Sequence, residues 1–237
     1  MLANMQNQNN MNSEPQNVIE RYERRKEKSI VNEHSNNFYF NHFAQSEREL
    51  KYIEIINSRF DSLDTIKILE IGAGTGINLF LFKKMGFKWE NIYANELLLD
   101  RFELLKETFP NINTYKGDAC EIDEDFNDSF DIVFQSTVFT SILDSNFKER
   151  LANKMWCMLK SGGIILWYDF VFDNPQNNDV KGVKKREIVK LFKDSKKITF
   201  NKTTLAPPIG RKVRKLYPLF NIFPFLRTHI IAVIEKE

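Results

Sequence analysis

The chain has 237 residues, of which 42% are hydrophobic, and its 34 basic and 32 acidic side chains leave a net charge of +2. This is enough for a folded α/β domain, and the near-neutral balance argues against the strongly basic stripe of a nucleic-acid enzyme. No apolar run reaches about 18 residues and the two cysteines lack metal-ligand spacing, so we expect a soluble, cytoplasmic protein with no membrane span and no metal.

The N-terminal residues are polar. Residues 1–17 are rich in Asn, Gln and Met without apolar periodicity, which predicts a disordered tail. Residues 18–29 predict a charged helix, and its opposite charges four residues apart favour a solvated face over an anion site.

Aromatic residues follow, concentrated in residues 36–43. Residues 46–60 then predict an amphipathic helix that packs on the main sheet. Its apolar face comprises Leu50, Ile53, Ile56 and Phe60. We therefore expect a helical cap at residues 18–63, in front of the main domain.

Residues 66–76, Ile-Lys-Ile-Leu-Glu-Ile-Gly-Ala-Gly-Thr-Gly, join an apolar strand to three alternating glycines. A helix is predicted at residues 77–85. Gly72, Gly74 and Gly76 permit a tight turn and a close approach of a ligand to the main chain. Open α/β sheets bind ligands at this end of a strand, so the pattern predicts a nucleotide-type site.

The spacing distinguishes among nucleotides. A dinucleotide fingerprint needs glycine where the chain has Ile77, and the Gly-Lys-Ser/Thr of a phosphate-binding loop is absent. Instead Glu70 stands two residues before Gly72, which gives the pattern E-x-G-x-G-x-G.

Two acidic residues downstream extend this pattern. Glu96 ends the predicted strand at residues 91–95, 20 residues after Gly76 (96 − 76), where a ribose-binding carboxylate belongs. Asp118 lies in a Lys-Gly-Asp-Ala turn after the predicted strand at residues 112–115. In this order the three motifs resemble those of class I S-adenosylmethionine (SAM)-dependent methyltransferases.

The resemblance implies an α/β fold: a Rossmann-like seven-stranded sheet in the order 3-2-1-4-5-7-6, with strand 7 antiparallel and helices on both faces. It covers residues 64–237, which form the SAM-binding core. The later strands are expected at residues 130–135, 164–168, 197–203 and 229–235.

The same resemblance implies SAM as cofactor and S-adenosylhomocysteine as product, with Glu96 on the ribose and Asp118 on the adenine. Tyr39 in the cap is expected to pack against the methionine part, because aromatic faces attract cations, or else to anchor the cap. Further cofactor contacts are implied for Glu70, Gly72, Ala73, Gly74, Gly76, Asn78, Leu97, Ala119 and Gln135.

Two residues are candidates for a general base. His42 lies in the cap, and histidine is a common general base at neutral pH; Asp169 ends an apolar strand where burial raises a carboxyl pKa. A surface role for His42 and loop hydrogen bonding for Asp169 remain open. Methyl transfer also proceeds by positioning alone, without a dedicated base. The Asn/Asp-Pro-Pro-Tyr/Phe signature of some N-methyltransferases is absent.

Residues 204–227 form an insertion in which a basic cluster precedes a proline-punctuated apolar stretch. It is a candidate lid over the acceptor, an interfacial patch for a lipid-linked substrate, a dimer surface or part of the core. Arg211, Arg214 and Lys215 are candidate contacts for an anionic acceptor.

The Leu-Ala-Pro-Pro and Leu-Arg-Thr-His segments of this region are similar to small bacterial methyltransferases of surface-polysaccharide biosynthesis. That similarity implies O-methylation of a sugar or glycan phosphate, with a small-molecule or glycan acceptor. A natural-product or RNA methyltransferase is the alternative, and a non-enzymatic partner subunit is a third interpretation. The oligomeric state is left open.

Overall fold

The computed structural model describes residues 13–30 and 37–237, and a mixed seven-stranded sheet forms its centre. The strands are β1 (Ile68–Ile71), β2 (Ile92–Glu96), β3 (Asn113–Lys116), β4 (Phe130–Ser136), β5 (Leu159–Phe170), β6 (Lys197–Leu205) and β7 (Arg227–Glu235). Their order is β3-β2-β1-β4-β5-β7-β6, with β7 antiparallel to both neighbours and the remaining pairs parallel. The predicted fold class and strand order are confirmed.

Helices cover both faces of the sheet. They are α1 (Glu14–Ile30), α2 (Phe38–Asn57), α3 (Ile77–Met85), α4 (Leu99–Thr108), α5 (Ser145–Met158), α6 (Lys185–Leu191), α7 (Pro207–Val213) and α8 (Tyr217–Asn221). Side chains of α2, α3 and α4 share one core with one face of the sheet, and those of α5 and α6 share another core with the opposite face. Burial on both faces explains why the central strands are continuously apolar.

The strand register brings the ends of the central strands together. Ile71, the last residue of β1, pairs with Asn95 of β2 on one side and Gln135 of β4 on the other. From β1 the following strands, β2 and β3, extend the sheet to one side, and from β4 the following strands extend it to the other side. A crevice therefore opens at their carboxyl ends, the usual ligand position in this architecture.

Helix α2 begins at Phe38, eight residues before the predicted start. Buried residues recur along one stripe, and they are Phe40, Ala44, Tyr52 and Ile56. The spacing of multiples of four places them on one face, so the aromatic segment is helical and anchored in the core. The predicted apolar face is wrong at Leu50, which is 62% exposed.

Helix α1 begins at Glu14 rather than at residue 18, so residues 14–17 are helical and do not belong to a tail. The reason is a tertiary contact of the Glu14 carboxylate. Its Oε1 accepts hydrogen bonds from Arg21 at 2.6 Å and from the amide of Leu143 at 2.7 Å. The rest of the predicted tail, residues 1–12, lies outside the described residues.

Candidate functional site

A cavity of about 390 Å³ opens at the carboxyl ends of β1, β2 and β4. The turn at residues 72–75 lines it, together with the turn at 117–119 and residues 136–138 after β4. Helix α1 lines it from the cap through Pro15, Val18 and Tyr22. Pockets for small molecules and cofactors have volumes of about 300–1,000 Å³, so the cavity has the right size for one such ligand.

Glu70 is a buried carboxylate in the wall of this cavity. Its Oε1 accepts a hydrogen bond from Asn78 Nδ2 at 2.6 Å, whereas its Oε2 is buried without a partner among the described residues. Burial, with a smaller contribution from the negative charge of Glu96, raises the pKa of Glu70 to about 8, although the Asn78 hydrogen bond lowers it. A buried polar atom without a partner is costly, so Oε2 is a place where a ligand's ammonium group fits.

Glu96, at the end of β2, is the second buried carboxylate in the wall. Its Oε2 accepts from the Gly74 amide at 2.7 Å, and its Oε1 accepts from the Leu98 amide at 2.8 Å. These bonds hold both oxygens in place. Each oxygen retains a lone pair, so the carboxylate can also accept from two neighbouring hydroxyl groups, as a ribose presents them.

Asp118 lies on the β3 side of the cavity. Its Oδ1 accepts from the Cys120 amide at 2.9 Å, which caps the short helical turn that follows. The Asn95 side chain donates to the Gly117 carbonyl at 2.9 Å and so ties this turn to β2. A carboxylate has about four acceptor sites, so Asp118 can also accept from an exocyclic amino group such as that of adenine.

Most of the predicted cofactor residues are brought together here. Those that line the cavity are Glu70, Gly72, Ala73, Gly74, Asn78, Glu96, Leu97, Asp118 and Ala119. Gly76 does not line it: its α-carbon faces the core, where an added β-carbon would come within 2.4 Å of Phe109. Gln135 is fully buried beneath the turn after β4. Neither Gly76 nor Gln135 lines the cavity, and both lie next to turns that do.

Tyr39 and His42 are not brought to the cavity. They lie on the outward side of α2, because the stripe that contains Phe40 turns inward. The Tyr39 ring is 5.8 Å from the charged groups of Arg214 and Lys215, and the exposed His42 stacks on Phe38. Neither side chain is placed to contact a ligand in the cavity.

Asp169 is fully buried on the opposite side of the turn that follows β4, and it does not line the cavity. Its Oδ1 accepts from the Thr140 hydroxyl at 2.8 Å, and its Oδ2 accepts from Gln135 Nε2 at 3.0 Å. Gln135 in turn accepts from the Val138 amide at 3.0 Å. This network holds Thr137, which lines the cavity with a strained φ of 61°. The geometry gives Asp169 a positioning role.

The stability of the protein is expected to depend on pH through Asp169. Burial raises its pKa from 3.8 to about 7, although Thr140 and Gln135 donate to the carboxylate. The folded state keeps this proton while the unfolded chain releases it, so the free energy of unfolding falls as pH rises from about 4 to about 7. Asp169→Asn removes that contribution. Urea unfolding across this range should show the difference between the two proteins changing by up to about 1.4 kcal/mol per pH unit, and parallel profiles would contradict the assignment.

Arg48, on α2, also lines the cavity, and the sequence analysis missed it. Its guanidinium carbon lies 4.7 Å from the centre of the Tyr168 ring, which stacks in turn on His229 at 5.3 Å. No ion pair joins Arg48 to a carboxylate within the described part of the chain. The sequence spacing could have identified it. Arg48 lies four residues after Ala44 and four before Tyr52, so this charged side chain falls on the buried face of α2.

Helix α1 covers the cavity, which its charged sequence did not indicate. Val18 is buried, and the Tyr22 hydroxyl lies 3.2 Å from Ser141 Oγ. Arg21 donates to the Ser141 carbonyl at 3.1 Å while pairing with Glu14. These contacts close the helix over the ligand space.

Other predicted anion contacts lie elsewhere. Arg211, Arg214 and Lys215 are exposed on the insertion and do not line the cavity. Among residues 13–30 and 37–237, no group of three His, Cys, Asp or Glu side chains is arranged to hold a metal ion.

Comparisons with known proteins agree with this geometry. Residues 68–163 match a family model described as a methyltransferase domain. The fold is similar to a SAM-dependent methyltransferase from Thermotoga maritima, described as a possible histamine N-methyltransferase, with a TM-score of 0.61, 16% identity, and coverage of 93% of this chain and 100% of the other. The fold is also similar to a SAM-dependent methyltransferase from Archaeoglobus fulgidus, with a TM-score of 0.56, 15% sequence identity, and coverage of 84% of this chain and 100% of the other. For a SAM-dependent methyltransferase from Mesorhizobium loti the TM-score is 0.57 and the sequence identity is 11%, with coverage of 77% of this chain and 96% of the other. No curated protein sequence matches the chain.

Proposed function

We propose that the chain is a class I SAM-dependent methyltransferase that transfers the methyl group to a hydroxyl oxygen of an anionic acceptor, with a sugar or glycan phosphate of surface-polysaccharide biosynthesis as the leading class. One observation carries the proposal: Arg48, which has no ion pair with any of the residues that the structure describes, lines the same cavity as the three carboxylates that would hold SAM. In this scheme the acceptor oxygen would take the methyl group that SAM supplies, S-adenosylhomocysteine would be the leaving group, and the hydroxyl proton would pass to the solvent when the product leaves.

The positions of the three carboxylates indicate which part of the cavity would bind SAM. Glu96 would hold the ribose hydroxyls, Asp118 the adenine amino group and Glu70 the α-ammonium of the methionine part. When bound, SAM supplies a methyl group already activated by its sulfonium. The protein therefore needs to orient an acceptor and exclude water, and α1 is in place to do the second.

Arg48 supports an anionic acceptor. A guanidinium matches phosphate and carboxylate groups with paired hydrogen bonds, and aromatic stacking on Tyr168 fixes its plane. The nearby His229 stays neutral at physiological pH because burial lowers its pKa to about 4. A cationic amine acceptor would meet repulsion from Arg48, so this side of the cavity favours hydroxyl acceptors that carry a negative charge.

No titratable side chain is required as a base in this scheme. Asp169 is separated from the cavity by the turn it holds, and His42 lies on the outer side of α2. Positioning the acceptor oxygen in line with the methyl group supplies the rate enhancement.

The test of the function is binding followed by transfer. Calorimetric titration should give micromolar affinity for SAM and S-adenosylhomocysteine and none for NAD. Methyl-labelled SAM should then label phosphorylated sugars and nucleotide sugars in preference to neutral methyl glycosides. Labelling of RNA in place of sugars would establish the alternative substrate class, and absence of SAM binding would overturn the enzyme assignment.

Arg48→Gln is expected to lower kcat/KM for a phosphorylated acceptor by about 10- to 150-fold, since a hydrogen bond to a charged group contributes about 1.5–3 kcal/mol. SAM affinity should not change. Lys51→Gln, on an exposed part of the same helix, is the matched control and should leave both quantities intact. Equal losses with neutral and phosphorylated acceptors would show that Arg48 supports the fold and does not recognise an anion.

A further inference from the structure

The segment from the end of β6 to the first residue of β7, residues 206–227, contains no Asp or Glu. Its five cationic side chains are Arg211, Lys212, Arg214, Lys215 and Arg227. Acidic residues are otherwise common in this chain, 32 in 237, so their absence from this insertion makes it a local basic region.

One face of the insertion is anchored to the protein. Tyr217 is buried, stacks on Phe43 at 5.5 Å and donates to the Glu47 carboxylate at 2.9 Å. Arg227 holds the other end through the Asn221 carbonyl. The insertion is thus a fixed element of the fold, attached mainly to α2.

The other face exposes large apolar side chains, which we call the apolar patch: Leu216, Leu219, Ile222, Phe223 and Phe225. Leu219 lies in α8, and Leu216 and Ile222, three residues before and after Leu219, flank this short helix. The rings of Phe223 and Phe225 lie 5.7 Å apart, which extends the patch beyond the helix. Phe225 is 76% exposed and Ile222 is 66% exposed. Five such residues within ten positions form a cluster.

We propose that the insertion docks this protein onto the surface of a membrane that contains anionic lipids. Apolar side chains beside a cationic segment are the composition of interfacial elements: the first enter the boundary between headgroups and acyl chains, and the second attract the negative surface. No helix in the described part of the chain is long and apolar enough to cross a membrane, so the contact is peripheral.

The charge distribution favours a bilayer over a second copy of the chain. A two-fold contact through the apolar patch would bring two copies of the same basic segment together, with no carboxylate in either insertion to neutralise them. An anionic lipid surface meets both features of the insertion at once. The proposal does not depend on the acceptor or on the methyl transfer.

Vesicle co-sedimentation of the full chain tests the proposal. We expect binding to vesicles of phosphatidylcholine with a quarter phosphatidylglycerol, weaker binding as NaCl is raised, and little binding to phosphatidylcholine alone. Ile222→Ser combined with Phe225→Ser should lower the partition coefficient at least tenfold. Because both side chains are exposed, circular dichroism and SAM affinity should not change.

The matched control is Phe172→Ser combined with Val189→Ser, which removes exposed apolar side chains outside the insertion and should bind vesicles like the wild type. Arg214→Gln combined with Lys215→Gln should weaken binding only to the anionic vesicles. Failure of the wild type to bind anionic vesicles overturns the proposal. So does a solution mass of twice 28.0 kDa that the Ile222 and Phe225 substitutions reduce to the monomer, since the patch would then be a dimer interface.

Discussion

Glu96→Ala is expected to weaken SAM binding by about 10- to 150-fold. The carboxylate would accept two hydroxyl hydrogen bonds from the ribose, and charge-assisted hydrogen bonds contribute about 1.5–3 kcal/mol. The substitution also leaves the Gly74 and Leu98 amides without their acceptor, which loosens the turn against the cofactor. Calorimetric titration with SAM and S-adenosylhomocysteine measures the loss, which should be similar for both.

Two variants complete that experiment. Glu96→Gln keeps the size of the side chain and removes its charge. The loss of SAM affinity in this variant therefore measures the contribution of the charge separately from that of the side-chain shape. Glu103→Ala, on the exposed side of α4, controls for the general loss of a carboxylate and should bind SAM normally. An unchanged affinity in Glu96→Ala would show that this residue only braces the turn.

Gly76→Ala is expected to destabilise the fold by about 2–5 kcal/mol. Gly76 has φ of 85°, where a residue with a β-carbon loses about 1–2 kcal/mol. The new methyl group would also come within 2.4 Å of Phe109 and 2.9 Å of Leu105, and overpacking a core costs about 1–3 kcal/mol. Urea unfolding of the ligand-free protein measures the change.

Gly74→Ala is the matched comparison. Gly74 has φ of 59°, but a β-carbon there meets nothing within 4 Å, so the expected destabilisation is only the conformational cost of about 1–2 kcal/mol. Because Gly74 lines the cavity, its methyl group should instead lower SAM affinity by about tenfold or more. If both variants lost stability equally and bound SAM equally, the division of roles between the two glycines would be refuted.

The central strands followed from local patterns, and their order followed from the resemblance to class I SAM-dependent methyltransferases. The apolar run ending at Gly72 predicts a buried strand and a turn, and the position of Glu96 about one βα unit later places it at the end of the neighbouring strand. These features are set by residues close in sequence, which is why the predicted set around Glu70 and Asp118 lies in one cavity.

The cap was predicted less well. The sequence of α1 is strongly charged, so it resembles a solvated helix, yet Val18 and Arg21 are buried against the turn near Ser141. Helix α2 was predicted too short because its first turns, residues 38–43, are mostly aromatic and show no apolar periodicity by themselves. Contacts with the distant insertion, through Phe40 and Tyr217, decide its start.

The sequence by itself determined the central strands, the ligand-binding edge of the sheet and the three carboxylates of the cavity, because strand periodicity, glycine spacing and a short crossover act over a few tens of residues. Only the tertiary structure decided which side chains meet on the side of the cavity that contains Arg48. Strand β5 is buried on both faces and shows no alternation, so nothing local reveals that Asp169 faces the turn after β4 while Tyr168 faces Arg48. Which side chains meet there depends on how α2 and the insertion pack across the sheet, and those contacts join residues more than a hundred positions apart.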